Sequence, residues 1–209
     1  MLVREWMTKD PQSVTPKATV MEAMQRLREG GFRRLPVVKD ARLVGIVTDR
    51  DLKEATPSKA TTLSVYELNY LLSKLTVSEV MQRAVITIAP DEPFERAALL
   101  MEEHRISGLP VVEGGAVVGM ITITDVLRAF VRFLGLREGG VRVTVDLPDA
   151  PGALARVAQA GPPSNIIAAV TAGVVATEHR RIVLRVAGDD AEGFADRVRA
   201  LGIDVRDVR

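Results

Sequence analysis

The chain has 209 residues, 47% hydrophobic and 26% charged, with a formal net charge of +1. That is enough chain for one large or two ordinary domains, and its charge is too balanced to present the basic field that recommends nucleic acid as a partner. The absence of cysteine excludes disulfides, zinc–thiolate sites and cysteine nucleophiles.

No stretch approaches the roughly eighteen consecutive apolar residues of a membrane span. The first residues, Met1 to Met7, lack the apolar region of a signal peptide, so a cytoplasmic protein without a membrane partner is expected. Asp10-Pro11 reads as a turn and Ser13-Val14-Thr15 as a short strand closed by Pro16. Thr19 with Glu22 makes a capping box for a helix whose apolar face is Val20, Ala23, Met24 and Leu27. Gly30-Gly31 ends it. Leu35 to Val38 and Leu43 to Val47 are β-branched runs about a turn at Lys39-Asp40, hence a hairpin, and Thr48 to Glu54 begins a second helix.

This order then recurs. Leu35-Pro36-Val37-Val38 and Gly45-Ile46-Val47-Thr48 reappear 74 residues later as Leu109-Pro110-Val111-Val112 and Gly119-Met120-Ile121-Thr122. Val3, Glu5, Met7, Pro16, Ala23 and Glu29 meet Val77, Glu79, Met81, Pro90, Ala97 and Glu103 at the same offset. An in-register repeat of about fifty residues is a module. The second copy predicts a strand at Val85 to Ile88 and a helix from Asp91-Glu92-Pro93 that buries Phe94, Ala97, Ala98 and Met101. Strands at Leu109 to Val112 and Ala116 to Ile121 follow, then a helix from Thr124 to Phe133. One copy would leave an apolar sheet face open, and two packed about a pseudo-twofold axis would cover it. Between the copies, Thr56-Pro57-Ser58 is a break and Leu63 to Leu75 an apolar helix carrying Tyr66 and Tyr70 four residues apart, too apolar for a flexible linker.

After Gly139-Gly140 the pattern changes. Val141, Val143 and Val145 alternate as a strand, Pro148 to Gly152 is a tight loop, and Ala153 to Ala160 a helix. Gly161 to Ser164 breaks the chain. Ile166 to Val175, with a hairpin turn holding His179, leads to Arg181 to Val186, then a helix from Asp189 to Leu201 and a last strand at Ile203 to Val208. The order βαββαβ is that of a ferredoxin-like sandwich, so the fold class is α+β: a repeat pair followed by a second, smaller sandwich.

Thr48-x-x-Asp51 and Thr122-x-x-Asp125 each lie between a strand end and a helix start. Either is readable as a helix cap, or as a carboxylate that accepts the two hydroxyls of a ribose, as an acid does in dinucleotide folds. No catalytic set emerges: the two histidines lie in unrelated elements, and no nucleophile elbow, P-loop or metal-ligand spacing is present. A non-enzyme without metal or cofactor is expected.

On the two Leu-Pro-Val-Val runs and the two Thr-x-x-Asp endings, residues 1–130 resemble the CBS-domain family, whose paired repeats bind adenine nucleotides. The resemblance implies CBS repeats at 1–55 and 76–134 with a helical insert at 56–75. It also implies composite clefts. One would join Thr48 and Asp51 to Ile86 and Ile106-Ser107-Gly108; the other would join Thr122 and Asp125 to Gln12 and Phe32-Arg33-Arg34. Arg33 and Arg34 stand where relatives face phosphate, which suits a rigid guanidinium fork; as bare residues they read equally as solvated loop arginines. The second copy has Ser107-Gly108 there, so the clefts are expected to be unequal.

Asp149-Ala150-Pro151-Gly152-Ala153-Leu154 resembles the Asp-x-Pro-Gly-x-Leu signature of ACT domains and places one at 140–209. There Asp149, Gly152 and Asn165 would hold an amino acid at a subunit interface, or the turn would merely define the fold. The order CBS, CBS, ACT and the insert resemble the bacterial AcuB-type family of acetoin utilisation. The function so implied is a homodimeric sensor of AMP, ADP or ATP that modulates a partner enzyme in acetoin or carbon metabolism. The alternative is a dimerisation or docking scaffold with empty clefts.

Overall fold

Helix α1 (Val20–Gly30) starts where its capping box predicts: Thr19 Oγ1 accepts from the Glu22 amide at 3.1 Å, and Glu22 returns the bond to the Thr19 amide at 2.7 Å. Gly31, left-handed at φ 64°, closes it. The computed structural model of the chain describes residues 1–56, 65–161, 165–176, 178–187 and 191–209. The breaks expected at 57–58 and 162–164 and the helix starts expected at 63 and 189 lie outside them. The chain divides into two units, Met1–Val126 and Leu127–Arg209.

In the first unit the order is β1 (Thr8–Lys9), α1, β2 (Arg34–Lys39), β3 (Arg42–Thr48), α2 (Asp49–Glu54), α3 (Val65–Lys74), α4 (Val77–Val80), α5 (Phe94–Glu103), β4 (Gly108–Glu113) and β5 (Ala116–Thr122), with α6 (Ile123–Phe133) beginning at its end. The hairpins β2–β3 and β4–β5 have the same register and the same bulge, Leu35 facing Val47 and Leu109 facing Ile121. The strands expected at 13–15 and 85–88 reduce to single parallel bridges, Val14 to Val37 and Ile88 to Val111. Their extension ends at Pro16 and Pro90, which have no N–H to donate. In α3, Tyr66 and Tyr70 are exposed and the Lys74 ammonium sits 4.8 Å over the Tyr70 ring; the apolar face expected at 65, 68, 71 and 72 lies outside the described side chains.

The repeats are interlocked through the short segments that precede them, and the main backbone links come in matched pairs. Thr8 pairs with Met120 on β5, and Gln82 with Ile46 on β3. Leu2 meets Pro93 and Thr76 meets Thr19, so each leader lies across the helix start of the other copy. The Val77 amide donates to the Ala18 carbonyl at 2.8 Å, and that of Val3 to Glu92 at 3.0 Å. The core of the first repeat therefore contains Val77 and Met81 from the second leader, beside Val20, Leu27, Leu35, Val37, Val47 and Leu52. Trp6, from the first leader, packs on Phe94 with ring centroids 5.5 Å apart.

This exchange explains two glycines and two methionines that recur in the sequence. A Cβ on Gly45 would stand 2.6 Å from the Met81 sulfur, and one on Gly119 would overlap the Met7 sulfur. Glycine at the strand lets the other repeat's leader approach its backbone, and methionine fills the gap. Burial of a side chain such as Met81 is worth about 1.5–3 kcal/mol. The pseudo-twofold packing expected from the repeat is thus held by swapped leaders.

The second unit contains β6 (Val141–Pro148), α7 (Ala153–Gln159), β7 (Asn165–Ala176), β8 (His179–Ala187), α8 (Ala191–Ala200) and β9 (Asp204–Val208). The antiparallel sheet has the order β7-β8-β6-β9, the βαββαβ arrangement expected. Val143, Val145, Leu147, Leu184 and Val186 pack against Val157, Phe194 and Val198 of the helices. His179, expected in the hairpin turn, is instead the first residue of β8, opposite Pro148. On β6, Asp146 is buried and accepts a bidentate pair from Arg181 at 2.8 and 2.9 Å, plus Arg206 at 2.7 Å. Chiefly because of the Arg181 hydrogen bonds, and against the cost of burial, its carboxyl is lowered from 3.8 to about 2.

Candidate functional site: two carboxylates and the seam between the repeats

Each Thr-x-x-Asp closes a hairpin onto a helix, and the two copies have the same internal geometry. Asp51 Oδ2 accepts from the Thr48 amide at 2.8 Å and from the Thr48 hydroxyl at 2.7 Å. Asp125 Oδ2 does so with Thr122 at 2.9 and 2.7 Å. The cap reading is therefore correct, and it uses one carboxylate oxygen in each copy. At Asp51 the other, Oδ1, accepts from Gln82 Nε2 at 3.1 Å, a bond that crosses from the second repeat's leader. Asp125 is buried, while Thr48, Asp51 and Thr122 are half-buried.

The loops before the Leu-Pro runs lie beside these caps. The Asp49 amide donates to the Arg33 carbonyl at 3.0 Å and that of Ile123 to Ser107 at 3.1 Å. Arg34 faces Thr48 in the hairpin and Gly108 faces Thr122. The loops also meet across the repeats, because the Arg34 guanidinium donates to the Gly108 carbonyl at 3.0 Å and to the Ser107 hydroxyl. Arg34 and Gly108 are equivalent positions, so the arginine of one copy lies over the glycine of the other; a Cβ at 108 would stand 3.0 Å from that guanidinium.

Burial, then the neighbouring Arg33, push Arg34 below the ordinary guanidinium value. Its partners here are a carbonyl and a hydroxyl, both uncharged. A half-buried cation held by neutral partners, with a second beside it, is a point of positive potential that favours an anion.

The remaining expected residues are spread around this seam. Phe32 is exposed over Gly30, and its amide donates to the Leu27 carbonyl at 2.9 Å. Ile106, its equivalent, bonds Met101 in the same way at 3.0 Å. Gln12 is exposed and Ile86 half-buried, each two residues before the bridge at Val14 or Ile88. Gln82 escapes sequence reading because its signal is a difference: the equivalent residue is Thr8. Among the described residues, no group of three His, Asp or Glu side chains could hold a metal ion, and no helix is long and apolar enough to cross a membrane.

In the second unit Asp149 accepts from Arg180 Nε at 2.6 Å, and that bond holds its carboxyl below the usual range. Gly152 is left-handed at φ 85° just before α7. Asn165 is exposed opposite Ala187, whereas Pro148 stands opposite His179 at the other end of β8. With eight residues of strand between, Asn165 lies about 25 Å from the Asp149 loop. Within one chain the three residues do not form a single pocket.

A family model described as CBS domain matches residues 3–58 and 77–132, and one described as TTHA0829-like ACT domain matches 139–209. A CBS domain-containing protein of Dictyostelium discoideum is 34% identical over 136 residues, 64% of this chain and 94% of its own length. L-aspartate semialdehyde sulfurtransferase of Methanocaldococcus jannaschii is 34% identical over 131 residues, 62% of this chain but only 23% of that enzyme. Among solved structures, the CBS domain pair of protein MJ0100 with 5-methylthioadenosine and S-adenosyl-L-methionine is 33% identical, with TM-score 0.52 over 62% of this chain and 95% of that one. An acetoin utilization protein (AcuB) from Vibrio cholerae is 29% identical, with TM-score 0.55 over 66% of this chain and 96% of that one. CBSX2 in complex with AMP is 30% identical, with TM-score 0.53 over 63% and 96%.

Proposed function

The chain belongs to the CBS-domain family and carries an ACT domain behind its tandem pair, and from that premise we propose a regulatory protein that binds adenine nucleotides in the pair. The observation that carries this reading is the duplicated carboxylate beside a cationic seam. Asp51 and Asp125 supply acceptors for ribose hydroxyls, and Arg34 with Arg33 supplies a fork for phosphate. MJ0100 and CBSX2, which bind adenosyl ligands in pairs of the same fold, support the same ligand class. The lining proposed is Thr48, Asp51, Ile86 and 106–108 for one cleft, and Thr122, Asp125, Gln12 and 32–34 for the other.

Such a protein acts without catalysis. Nucleotide biases the arrangement of the repeats by binding one arrangement more tightly than another, and a partner enzyme reads the result. The likeness to the Vibrio cholerae protein favours acetoin or carbon metabolism as the setting. The ACT domain would pair two chains and hold an amino acid between them, because Asn165 and the Asp149–Gly152 turn meet in no pocket of a single chain.

Calorimetry with AMP, ADP, ATP and S-adenosylmethionine tests the reading. The unmutated chain is expected to bind at least one, and Asp51→Ala and Asp125→Ala to weaken binding about ten- to a hundred-fold, as for lost bonds to a charged acceptor. A chain that binds none of the four overturns it.

A further inference from the structure

Among the side chains that cross between the repeats, two that meet at the seam have equivalents in the other copy with no such group. Gln82 reaches Asp51 Oδ1 at 3.1 Å, and its equivalent, Thr8, has a shorter side chain and no amide. Arg34 reaches Ser107 and Gly108, and its equivalent is Gly108 itself. Both crossings end on residues of one cleft, that of Asp51 and 106–108. Because Thr48 already uses Oδ2, Oδ1 is the oxygen an incoming hydroxyl would seek, and Gln82 stands on it.

We propose that Gln82 is an internal ligand of Asp51 which competes with ribose, and that with Arg34 it latches this cleft shut in the free protein. The inference rests on the nucleotide reading above and adds its regulation. The latch is movable without unfolding anything. Gln82 is exposed, and its backbone stays pinned to Ile46 by two bonds of 2.9 Å, so only the side chain swings. Its amide gives one hydrogen bond to the carboxylate, where a ribose diol gives two. Arg34 comes from the lining of the other cleft but reaches across the seam to Ser107 and Gly108; it has only neutral partners to leave there, and a phosphate is a better one. A ligand with both ribose and phosphate therefore releases both points of the latch, while a bare nucleoside must displace Gln82 without drawing Arg34 away.

The test isolates this cleft with Asp125→Asn, which keeps an acceptor for the Thr122 cap, and titrates adenosine and AMP by calorimetry. Adding Gln82→Thr, the residue its equivalent carries, is expected to tighten adenosine binding about five-fold, the worth of one modest hydrogen bond. Gln82→Lys, which places an ammonium beside Asp51, is expected to weaken it several-fold. Melting of the ligand-free protein should hardly move with Gln82→Thr, since that bond is exposed. Equal adenosine affinities for Gln82, Thr and Lys at position 82, or no binding even with Gln82→Thr, overturn the latch while nucleotide binding by the unmutated chain stands. If the unmutated chain binds none of AMP, ADP, ATP and S-adenosylmethionine, the nucleotide reading falls and the latch with it.

Discussion

The two CBS repeats pair their backbones alike, yet they differ in the side chains that point at the seam. Register, bulges, bridges and leader contacts all recur at the 74-residue offset. Against that background stand unequal positions, among them Thr8 and Gln82, Gly31 and Arg105, Arg34 and Gly108, Ala41 and Gly115. The common features are apolar contacts and ladder bonds, which tolerate little change in volume or donor count. The unequal positions lie at loops and cleft edges, where a side chain is free to vary while the frame stays put. The frame thus supplies two similar sites, and a few exposed or half-buried residues make them different.

The largest expected effect would come from the swapped methionines. Met81 is buried and Met7 only half-buried, so the exchange is symmetric in geometry but unequal in energy. Met81→Ala should cost about 3 kcal/mol and Met7→Ala about 1–2 kcal/mol, read from urea denaturation. Equal losses would show that the two leaders contribute alike despite their different burial.

Acid separates the repeat pair from the C-terminal unit through Asp146. Its folded pKa of about 2 lies below its ordinary 3.8, so the fold favours the ionised form. That stabilisation is full above pH about 4 and is lost as pH falls through about 2. Asp146→Asn should therefore destabilise the second unit by about 1–2 kcal/mol at neutral pH. The gap to the unmutated chain should close between pH 4 and 2, seen as converging denaturation midpoints. A gap unchanged at pH 2 would remove the Arg181 and Arg206 pairing as its cause.

The smallest effect comes from making the repeats more alike. Ala41 and Arg105 hold left-handed backbone at φ 61° and 54°, where their equivalents are Gly115 and Gly31. A non-glycine there is strained by about 1–2 kcal/mol, partly offset by the greater freedom of glycine in the unfolded chain. Ala41→Gly and Arg105→Gly should each raise stability by about 0.5–1 kcal/mol in thermal melts. A loss would mean that the side chain makes contacts worth more than the strain.

Much of this was legible beforehand. Thr19 with Glu22, the paired Leu-Pro-Val-Val runs and the alternation of Val141, Val143 and Val145 located their elements, because capping and periodicity are local properties. The Thr-x-x-Asp boxes were legible as caps for the same reason. The short strand expected at Ser13 to Thr15 missed because it makes only one ladder bridge, and the turn expected at His179 missed because that residue already pairs with Ala176 on one side and Pro148 on the other.

The duplication, the α+β class and the identity of the side chains that recur were readable from the residues alone, since these follow from periodicity and repeated spacing. Met7 and Met81, Gly45 and Gly119 were readable as members of the repeat, but not as groups that touch. Folding alone brings each leader onto the other repeat, Arg34 over Gly108, and Gln82 onto Asp51. Those contacts join residues tens of positions apart, and distance along the chain carries no record of which side chains meet in space.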